Sequence, residues 1–256
     1  MTADLQVSEP AVAPQGRFVV LEGIDGCGKS TQIEALRRWL PTSGLLAPGA
    51  ELLVTREPGG TALGAALRQL LLHPPGEAAP EPMAELLLYA ADRAQHVEQT
   101  IRPALERGDW VLSDRFAGST AAYQGHGRGL SMALIGQLEA IATGGLAADL
   151  TLWLDVPLAE SMRRRGDRPA DRMEASGQAF LQRVAEGFAA LAAQRVLVDG
   201  DHLGDAFVAE GKGRAEGEAA EGRGPAGAEA VQHAAAEGRA AVHEGRVEVA
   251  AGHGEG

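Results

Sequence analysis

The sequence predicts an α/β fold in which a central parallel five-stranded sheet is flanked by helices. Short apolar runs alternate with helix-like segments along the chain, which is typical of parallel strands joined by crossover helices. A glycine-rich loop at residues 23–30 stands between the first apolar run and the first helical segment. The 256 residues, 45% of them hydrophobic, suffice for one α/β domain of ordinary size or for two small ones.

Five apolar runs are the predicted strands. Residues 18–21 form a short continuous run, as expected of a buried central strand. The other four strands are predicted at residues 52–54, 110–112, 150–154 and 195–198.

The segments between these strands predict helices. The first begins at Lys29 and ends before Pro41, because proline cannot continue a helix. Helical spacing of Phe180, Val184, Phe188 and Leu191 predicts the core face of a late helix. Further helices are predicted at residues 62–72, at 82–106 with a bend near Pro103, at 131–142, and after 154.

The two ends of the chain differ from its body. Residues 1–16 lack a basic patch followed by an apolar stretch, so we expect a flexible leader and not a secretory signal. Beyond Leu203 there is no Leu, Ile or Met, and glycines recur too often for a stable helix. We therefore predict a folded domain at residues 17–203 and a disordered Ala/Gly/Glu tail at 204–256. A natural extension and a late reading-frame change are both compatible with such a tail.

Composition excludes several functional classes. The net charge of −12 argues against general nucleic-acid binding. No apolar run approaches the ~20 residues of a membrane-spanning helix. The single cysteine, Cys27, excludes an internal disulfide and fits a reducing cytosol. We expect a cytoplasmic protein that does not bind membranes.

The loop between the first strand and the first helix has the full pattern of a phosphate-binding P-loop. Its glycines let successive N–H groups face the phosphates of a nucleotide, and the following helix adds its positive N-terminal end. Lys29 is expected to reach the β- and γ-phosphates, and the Ser30 hydroxyl to ligate Mg²⁺. The predicted ATP-binding residues are Gly23, Ile24, Asp25, Gly26, Cys27, Gly28, Lys29, Ser30 and Thr31.

Asp114 and Arg115 follow the third predicted strand. Folds of this class keep a carboxylate beside the metal at such a strand end, so Asp114 is the second predicted magnesium ligand. An arginine at the same place points into the ligand crevice and can bind a phosphate through two N–H groups.

At this point the sequence resembles the thymidylate kinase family, over about residues 17–193. The matching motifs occur in the family's order and approximate spacing. They are the phosphate loop, Thr55-Arg56-Glu57-Pro58-Gly59-Gly60-Thr61, Tyr89-Ala90-Ala91-Asp92-Arg93, Ser113-Asp114-Arg115-Phe116, Ser119-Thr120, Tyr123-Gln124-Gly125 and Asp171-Arg172-Met173-Glu174.

The resemblance implies roles for single residues. It implies that Tyr89 stacks on the thymine ring and that Arg93 donates to a thymine carbonyl oxygen. It implies that Asp25 lies near the 3′-hydroxyl of the sugar and the metal, and that Tyr123 excludes a ribose 2′-hydroxyl. The substrate-binding residues carried over from the family are Asp25, Arg56, Tyr89, Arg93, Arg115, Ser119, Thr120, Tyr123 and Gln124.

An arginine cluster resembles the family's mobile lid. Guanidinium groups brought over a phosphoryl group in transfer stabilise its charge. Some relatives place that arginine in the phosphate loop, at the position of Gly26, so here the lid is expected to supply it. The catalytic candidates are Lys29, Arg115 and the lid residues Arg165, Arg168 and Arg172, among which the sequence does not choose.

The implied fold is that of the P-loop nucleoside monophosphate kinases, and the implied reaction is transfer of the ATP γ-phosphate to dTMP by a magnesium-dependent homodimer.

One alternative is a kinase of another nucleoside monophosphate, such as dCMP or dUMP. A guanine-specific regulatory switch needs an Asn-Lys-x-Asp motif, which is impossible in a chain without Asn. A non-catalytic nucleotide-binding protein is the remaining alternative. The odd C-terminus favours it, and the intact phosphate loop argues against it.

Overall fold

The computed structural model describes residues 16–76, 79–166, 169–195, 241–243 and 246–248. Its main sheet confirms the predicted α/β class with parallel strands, in the order β2-β3-β1-β4. The four strands are β1 (Arg17–Glu22), β2 (Leu52–Arg56), β3 (Trp110–Asp114) and β4 (Leu150–Trp153). Of the predicted fifth strand, Arg195 is the last residue of a helix and residues 196–198 lie outside the described residues.

β1 is central because its side chains are apolar on both faces of the sheet. Phe18 and Val20 belong to one buried cluster, and Val19 and Leu21 belong to the other. β1 pairs with β3 through Leu21 and Asp114, and with β4 through Glu22 and Trp153. The carboxyl ends of the parallel strands therefore meet at one edge, where ligands bind in open α/β sheets.

Helices cover both faces of this sheet. They are α1 (Lys29–Trp39), α2 (Ala62–Leu72), α3 (Pro82–His96), α4 (Arg102–Glu106), α5 (Ala117–Thr120), α6 (Met132–Thr143), α7 (Leu158–Arg165) and α8 (Gln178–Arg195). Phe180, Val184 and Phe188 on α8 are buried, which confirms the predicted core face. No helix within the described ranges has the length and apolarity needed to cross a membrane.

The helix predicted over residues 82–106 is divided. α3 ends at His96, a π-helical turn follows at Val97–Ile101, and α4 begins at Arg102. Pro103 stands in the first turn of α4. Because proline donates no hydrogen bond, the helical pattern changes just before it.

The C-terminal region contributes two short strands to the described residues. β5 (Ala241–His243) pairs antiparallel with β6 (Arg246–Glu248). β5 also approaches β4, with Cα atoms within 8 Å. The rest of the predicted tail, and all of the predicted leader except Gly16, lie outside the described residues, so the predicted domain bounds stay a prediction.

Candidate active site

The phosphate loop joins β1 to α1 and has the conformation that its glycines allow. Gly23, Gly26 and Gly28 have φ angles of 137°, 87° and 108°, a region that side chains with a Cβ rarely adopt. At Gly26 a Cβ atom would also lie 2.5 Å from the carbonyl oxygen of Ser161 on α7. The Ser161 hydroxyl donates to the carbonyl oxygen of Asp25. The first half of α7 therefore packs directly on the loop.

Lys29 lies inside the concave side of this loop. Its Nζ donates to the carbonyl oxygens of Gly23 and Ile24 at 3.0 and 3.1 Å. Only 6% of the residue is exposed. Because these partners are carbonyls and not carboxylates, the ammonium charge remains available to an anionic ligand on the loop.

Asp114 ends β3 beside the loop, and its Oδ1 is buried without a hydrogen-bond partner among the residues described. A buried carboxylate oxygen without a partner is costly, so it marks a place for a ligand. Mg²⁺ takes one or two carboxylates and completes its shell with waters and substrate phosphates. The exposed Ser30 and the orphaned Asp114 oxygen fit this ion. The part of the chain that the structure describes has no cluster of three His, Cys, Asp or Glu ligands.

Arg115 connects the phosphate loop to the neighbouring cleft. Its Nη1 donates to the Gly23 carbonyl and to Ser119 Oγ, both at 2.9 Å, and its Nη2 donates to Asp25 Oδ1 at 2.9 Å. The residue has a φ angle of 76°, which costs an L residue about 1–2 kcal/mol. Strain of this kind persists only where surrounding contacts hold it, and here three acceptors hold the guanidinium.

Asp25 is the acidic partner of Arg115. Its Oδ2 accepts a hydrogen bond from the Tyr123 hydroxyl at 3.0 Å. Burial alone would raise the pKa of Asp25, but the charges of Arg115 and Lys29 and the two hydrogen bonds outweigh it and hold that pKa well below its usual range. Asp25 is therefore ionised at neutral pH.

The cleft has an empty volume of about 520 Å³. Tyr89 and Arg93 lie on its wall, one turn apart on α3, as the sequence predicts. Burial, followed by the negative charge of Glu85, raises the pKa of Tyr89, so its phenol remains neutral. Further lining residues include Asp25, Pro58, Arg68, Arg115, Ser119, Thr120, Tyr123 and Gln124.

Arg93 is held by carboxylates and is not a solvated helix residue. Its Nε donates to Glu57 Oε2 at 2.8 Å, and its Nη1 donates to Thr120 Oγ1 at 2.9 Å and also to Glu139. Only 2% of Arg93 is exposed. Its orientation is set by groups from three parts of the chain.

A model of the Thymidylate kinase family matches residues 21–200. This chain belongs to the thymidylate kinase family. The thymidylate kinase of Prochlorococcus marinus is 69% identical over 183 residues, which are 72% of this chain and 85% of the relative. The thymidylate kinase of Parasynechococcus marenigrum is 69% identical over 180 residues, 70% of this chain and 86% of the relative.

A solved structure supports the same conclusion. The thymidylate kinase of Ehrlichia chaffeensis superposes with a TM-score of 0.57 and 34% sequence identity. The match covers 71% of this chain and 89% of the solved one. The family and the fold class predicted from sequence are thus confirmed.

Glu22 contributes to the site of this thymidylate kinase family member but was not predicted from the sequence. Its Oε1 accepts from the backbone N–H groups of Phe116 and Ser119 at 2.9 and 3.0 Å, and its Oε2 accepts from Ser119 Oγ at 2.6 Å. Burial raises its pKa, although Arg115 and these hydrogen bonds oppose the rise. One signal was available, since a carboxylate directly after a buried apolar strand requires partners. Glu22 anchors the turn that carries Arg115 and Ser119.

Glu57 and His96 form a second group that had no predicted role. His96 Nδ1 lies 2.8 Å from Glu57 Oε1, and His96 Nε2 lies 2.7 Å from Thr55 Oγ1. His96 is one turn beyond Arg93 on the same helix, which was the available signal.

Other predicted site residues have different surroundings. Arg56 ends β2 with an exposed side chain and does not line the cleft. Gln124 lines it and donates to Glu85 Oε1 at 2.7 Å. Ser30 and Thr31 are exposed at the start of α1.

The described lid arginines are bound to carboxylates. Arg172 Nη2 lies 2.6 Å from Glu85 Oε2, and its Nε donates to the Leu71 carbonyl at 2.7 Å. Arg165 Nη1 lies 3.6 Å from Glu174 Oε1. Arg168 lies outside the described residues.

Proposed function

We propose that this chain phosphorylates dTMP to dTDP by direct in-line transfer of the ATP γ-phosphate. Relatives 65–69% identical to it are thymidylate kinases, and neither these relatives nor the site geometry favours another nucleoside monophosphate or a non-catalytic role. One observation carries the proposal. The Arg115 guanidinium bonds the phosphate loop at Gly23 and also lines the cleft beneath Tyr89 and Arg93. A donor and an acceptor phosphate can therefore meet at one side chain.

On the donor side, N–H groups of the phosphate loop bind the ATP phosphates, and Lys29 exchanges its two carbonyl partners for phosphate oxygens. Ser30 and Asp114 would hold Mg²⁺, which would neutralise negative charge on the phosphates when bound. Positioning and charge stabilisation account for the rate, since the reaction needs no covalent enzyme intermediate.

On the acceptor side, Arg115 and Arg56 bind the dTMP phosphate. Arg56 has an exposed side chain free to turn towards it. Tyr89 stacks on thymine, a contact of ~1–3 kcal/mol for an aromatic platform. Arg93 donates to the base, with Ser119, Thr120 and Gln124 alongside. The ring of Tyr123 and the carboxylate of Asp25 border the sugar.

The lid supplies the remaining positive charge. Arg172 would have to give up an ion pair and a backbone hydrogen bond to reach the phosphoryl group, whereas the ion pair between Arg165 and Glu174 is longer, at 3.6 Å. We propose Arg165 and Arg168 as the lid residues that move over the transferred group, with Arg172 holding the lid to α3.

We also propose a cytoplasmic homodimer that associates through α2 and α3. Leu63 and Leu70 on α2 are 50% and 37% exposed, and Met83 and Leu87 on α3 are 43% and 49% exposed. α2 lies against α3, and exposed apolar side chains on two adjacent helices favour association. Sedimentation analysis of the wild-type protein and of Leu87→Glu tests this proposal. We expect a wild-type dimer that Leu87→Glu dissociates, and a monomeric wild-type protein contradicts the proposal. The buried free thiol of Cys27 agrees with a reducing compartment.

The experiment for the reaction is an acceptor panel. dTMP, dUMP and dCMP are each supplied with ATP and Mg²⁺, and the ADP formed is measured, with EDTA as the control for the metal. We expect dTMP to give the highest kcat/KM and EDTA to abolish turnover. ADP formation that does not depend on the acceptor, or a preference for dCMP, contradicts the proposal.

A further inference from the structure

Glu57 lies between the two halves of the site. Its backbone N–H donates to the carbonyl oxygen of Asp114 at 2.9 Å, so its main chain is fixed to the residue expected to bind the metal. Its side chain extends the other way, to Arg93. Both carboxylate oxygens are used, one by Arg93 and one by His96.

The contacts of Arg93 leave one of its nitrogens for a ligand. A guanidinium has five N–H groups, one on Nε and two on each Nη. Glu57 takes the group on Nε, while Thr120 and Glu139 take those on Nη1. No acceptor for Nη2 is found among the described side chains and backbone, although Arg93 lines the cleft. Because the guanidinium is planar, the acceptors on Nε and Nη1 together set the direction of Nη2, and Glu57 is the one that bonds Nε.

His96 holds Glu57 in that place. The ring is fully buried, and a Cβ atom on Gly60 would lie 2.4 Å from its Nε2. Thr55 contacts the same nitrogen. Because Gly60 packs against the Nε2 end of the ring and Thr55 bonds the same nitrogen, the ring is held in place and fixes the oxygen of Glu57 that its Nδ1 contacts.

The second carboxylate on Arg93 is held differently. Glu139 has one oxygen, Oε2, buried without a partner in the described part of the chain, and its side chain is 16% exposed against 4% for Glu57. Glu139 therefore balances the charge of Arg93 but is itself less constrained.

We propose that Glu57, held by His96, is the positioning residue that aims Arg93 at the bound base. The proposal rests on the proposed function for the identity of that base. The role belongs to acceptor binding and not to phosphoryl transfer, so its loss should weaken dTMP affinity while sparing ATP affinity and kcat.

Two substitutions of His96 separate positioning from packing. His96→Asn places an amide nitrogen near the position of Nδ1 and keeps a donor for Glu57. His96→Gln places its amide near Nε2 and keeps the contact with Thr55 instead. Glu57→Asp shortens the carboxylate, so that it cannot reach Arg93 and His96 together. Glu139→Gln is the matched control that removes a charge from Arg93 but leaves its Nε bond in place.

The measurements are the Kd of dTMP by titration calorimetry, the KM values of dTMP and ATP, kcat, and the thermal midpoint. We expect Glu57→Asp and His96→Gln to weaken dTMP binding about tenfold or more, as for a misaligned hydrogen bond from a charged donor. His96→Asn and Glu139→Gln should stay within about threefold of wild type. The KM of ATP should not change in any of the four.

Equal dTMP affinity in His96→Asn and His96→Gln overturns the inference, as does a parallel loss of dTMP and ATP affinity. If Glu57→Asp does not fold, the His96 pair still decides. A wild-type protein that binds dTMP without phosphorylating it contradicts the proposed function, and the Kd comparison then still tests the role of Glu57.

Discussion

Replacing Gly26 by alanine tests whether the lid helix α7 is packed on the phosphate loop. The new Cβ would lie 2.5 Å from the Ser161 carbonyl oxygen, at a φ angle of 87°. The left-handed conformation costs an L residue roughly 1–2 kcal/mol, and relief of an overpacked contact costs about 1–3 kcal/mol more. We expect Gly26→Ala to lose about 2–5 kcal/mol of unfolding free energy.

Gly28→Ala is the matched control. Gly28 is in the same loop with a φ angle of 108°, but a Cβ there would meet nothing within 4 Å. Gly28→Ala should therefore lose only the conformational cost, about 1–2 kcal/mol of unfolding free energy. Domains of this size lose roughly 2–4 °C in Tm per kcal/mol. Calorimetry without nucleotide should therefore show a clearly larger fall in Tm for Gly26→Ala. Equal falls in Tm for the two variants would refute the packing argument.

Four further predictions concern single residues and the tail. Lys29→Ala should cut kcat at least about 100-fold with little change in Tm, because its Nζ partners among the described residues are two backbone carbonyls and the Cys27 thiol. Near-normal turnover contradicts this. Arg93→Ala should lower kcat/KM for dTMP roughly 10- to 150-fold. It should also destabilise the fold by about 3–5 kcal/mol, because Glu57 and Glu139 lose their cation. Small and equal effects on kcat/KM for dTMP and for ATP contradict this prediction. Burial and the charge of Glu57 raise the pKa of Asp92 to about 6 from 3.8, so the native state loses stability as pH rises through this interval. The unfolding free energy of the wild type should therefore rise by up to about 3 kcal/mol relative to that of Asp92→Asn as pH falls from 7 to 4. A difference in Tm between the two proteins that does not change with pH contradicts this prediction. Truncation after Leu203 should change Tm little, because the removed sequence offers little apolar surface; a large fall would mean that the approach of β5 to β4 stabilises the sheet.

Local patterns made the four strands of the main sheet and the phosphate loop predictable. The apolar run at residues 18–21 needs no distant partner to be recognised, and the loop glycines are close in sequence. Asp114 and Arg115 followed from a general rule, since strand ends of a parallel sheet meet at one edge. Tyr89 and Arg93 were placed in the cleft by resemblance to the family, with helical spacing as support.

The contacts that hold Arg93 and Arg172 could not be predicted in the same way. Arg93 meets Glu57, Thr120 and Glu139, which are 36, 27 and 46 residues distant in sequence. Arg172 meets Glu85 and the Leu71 carbonyl across about a hundred residues. The chain has many arginines and carboxylates, and charge alone does not select among their possible pairs. The packing of α3 against α5, α6 and the segment after β2 brings the partners of Arg93 together. The partners of Arg172 come from α2 and α3.

Asp25 explains how the lid and the acceptor pocket can act together. Its carbonyl oxygen accepts from Ser161 on α7, while its carboxylate accepts from Arg115 and Tyr123. A displacement of α7 would therefore act on the same residue that orients Arg115, the arginine that we propose binds the acceptor phosphate. The close approach of Ser161 to Gly26 also leaves no room for a side chain at that position. An arginine side chain therefore cannot stand at Gly26 while α7 is packed there, which supports our proposal that arginines of the lid bring further positive charge over the transferred group.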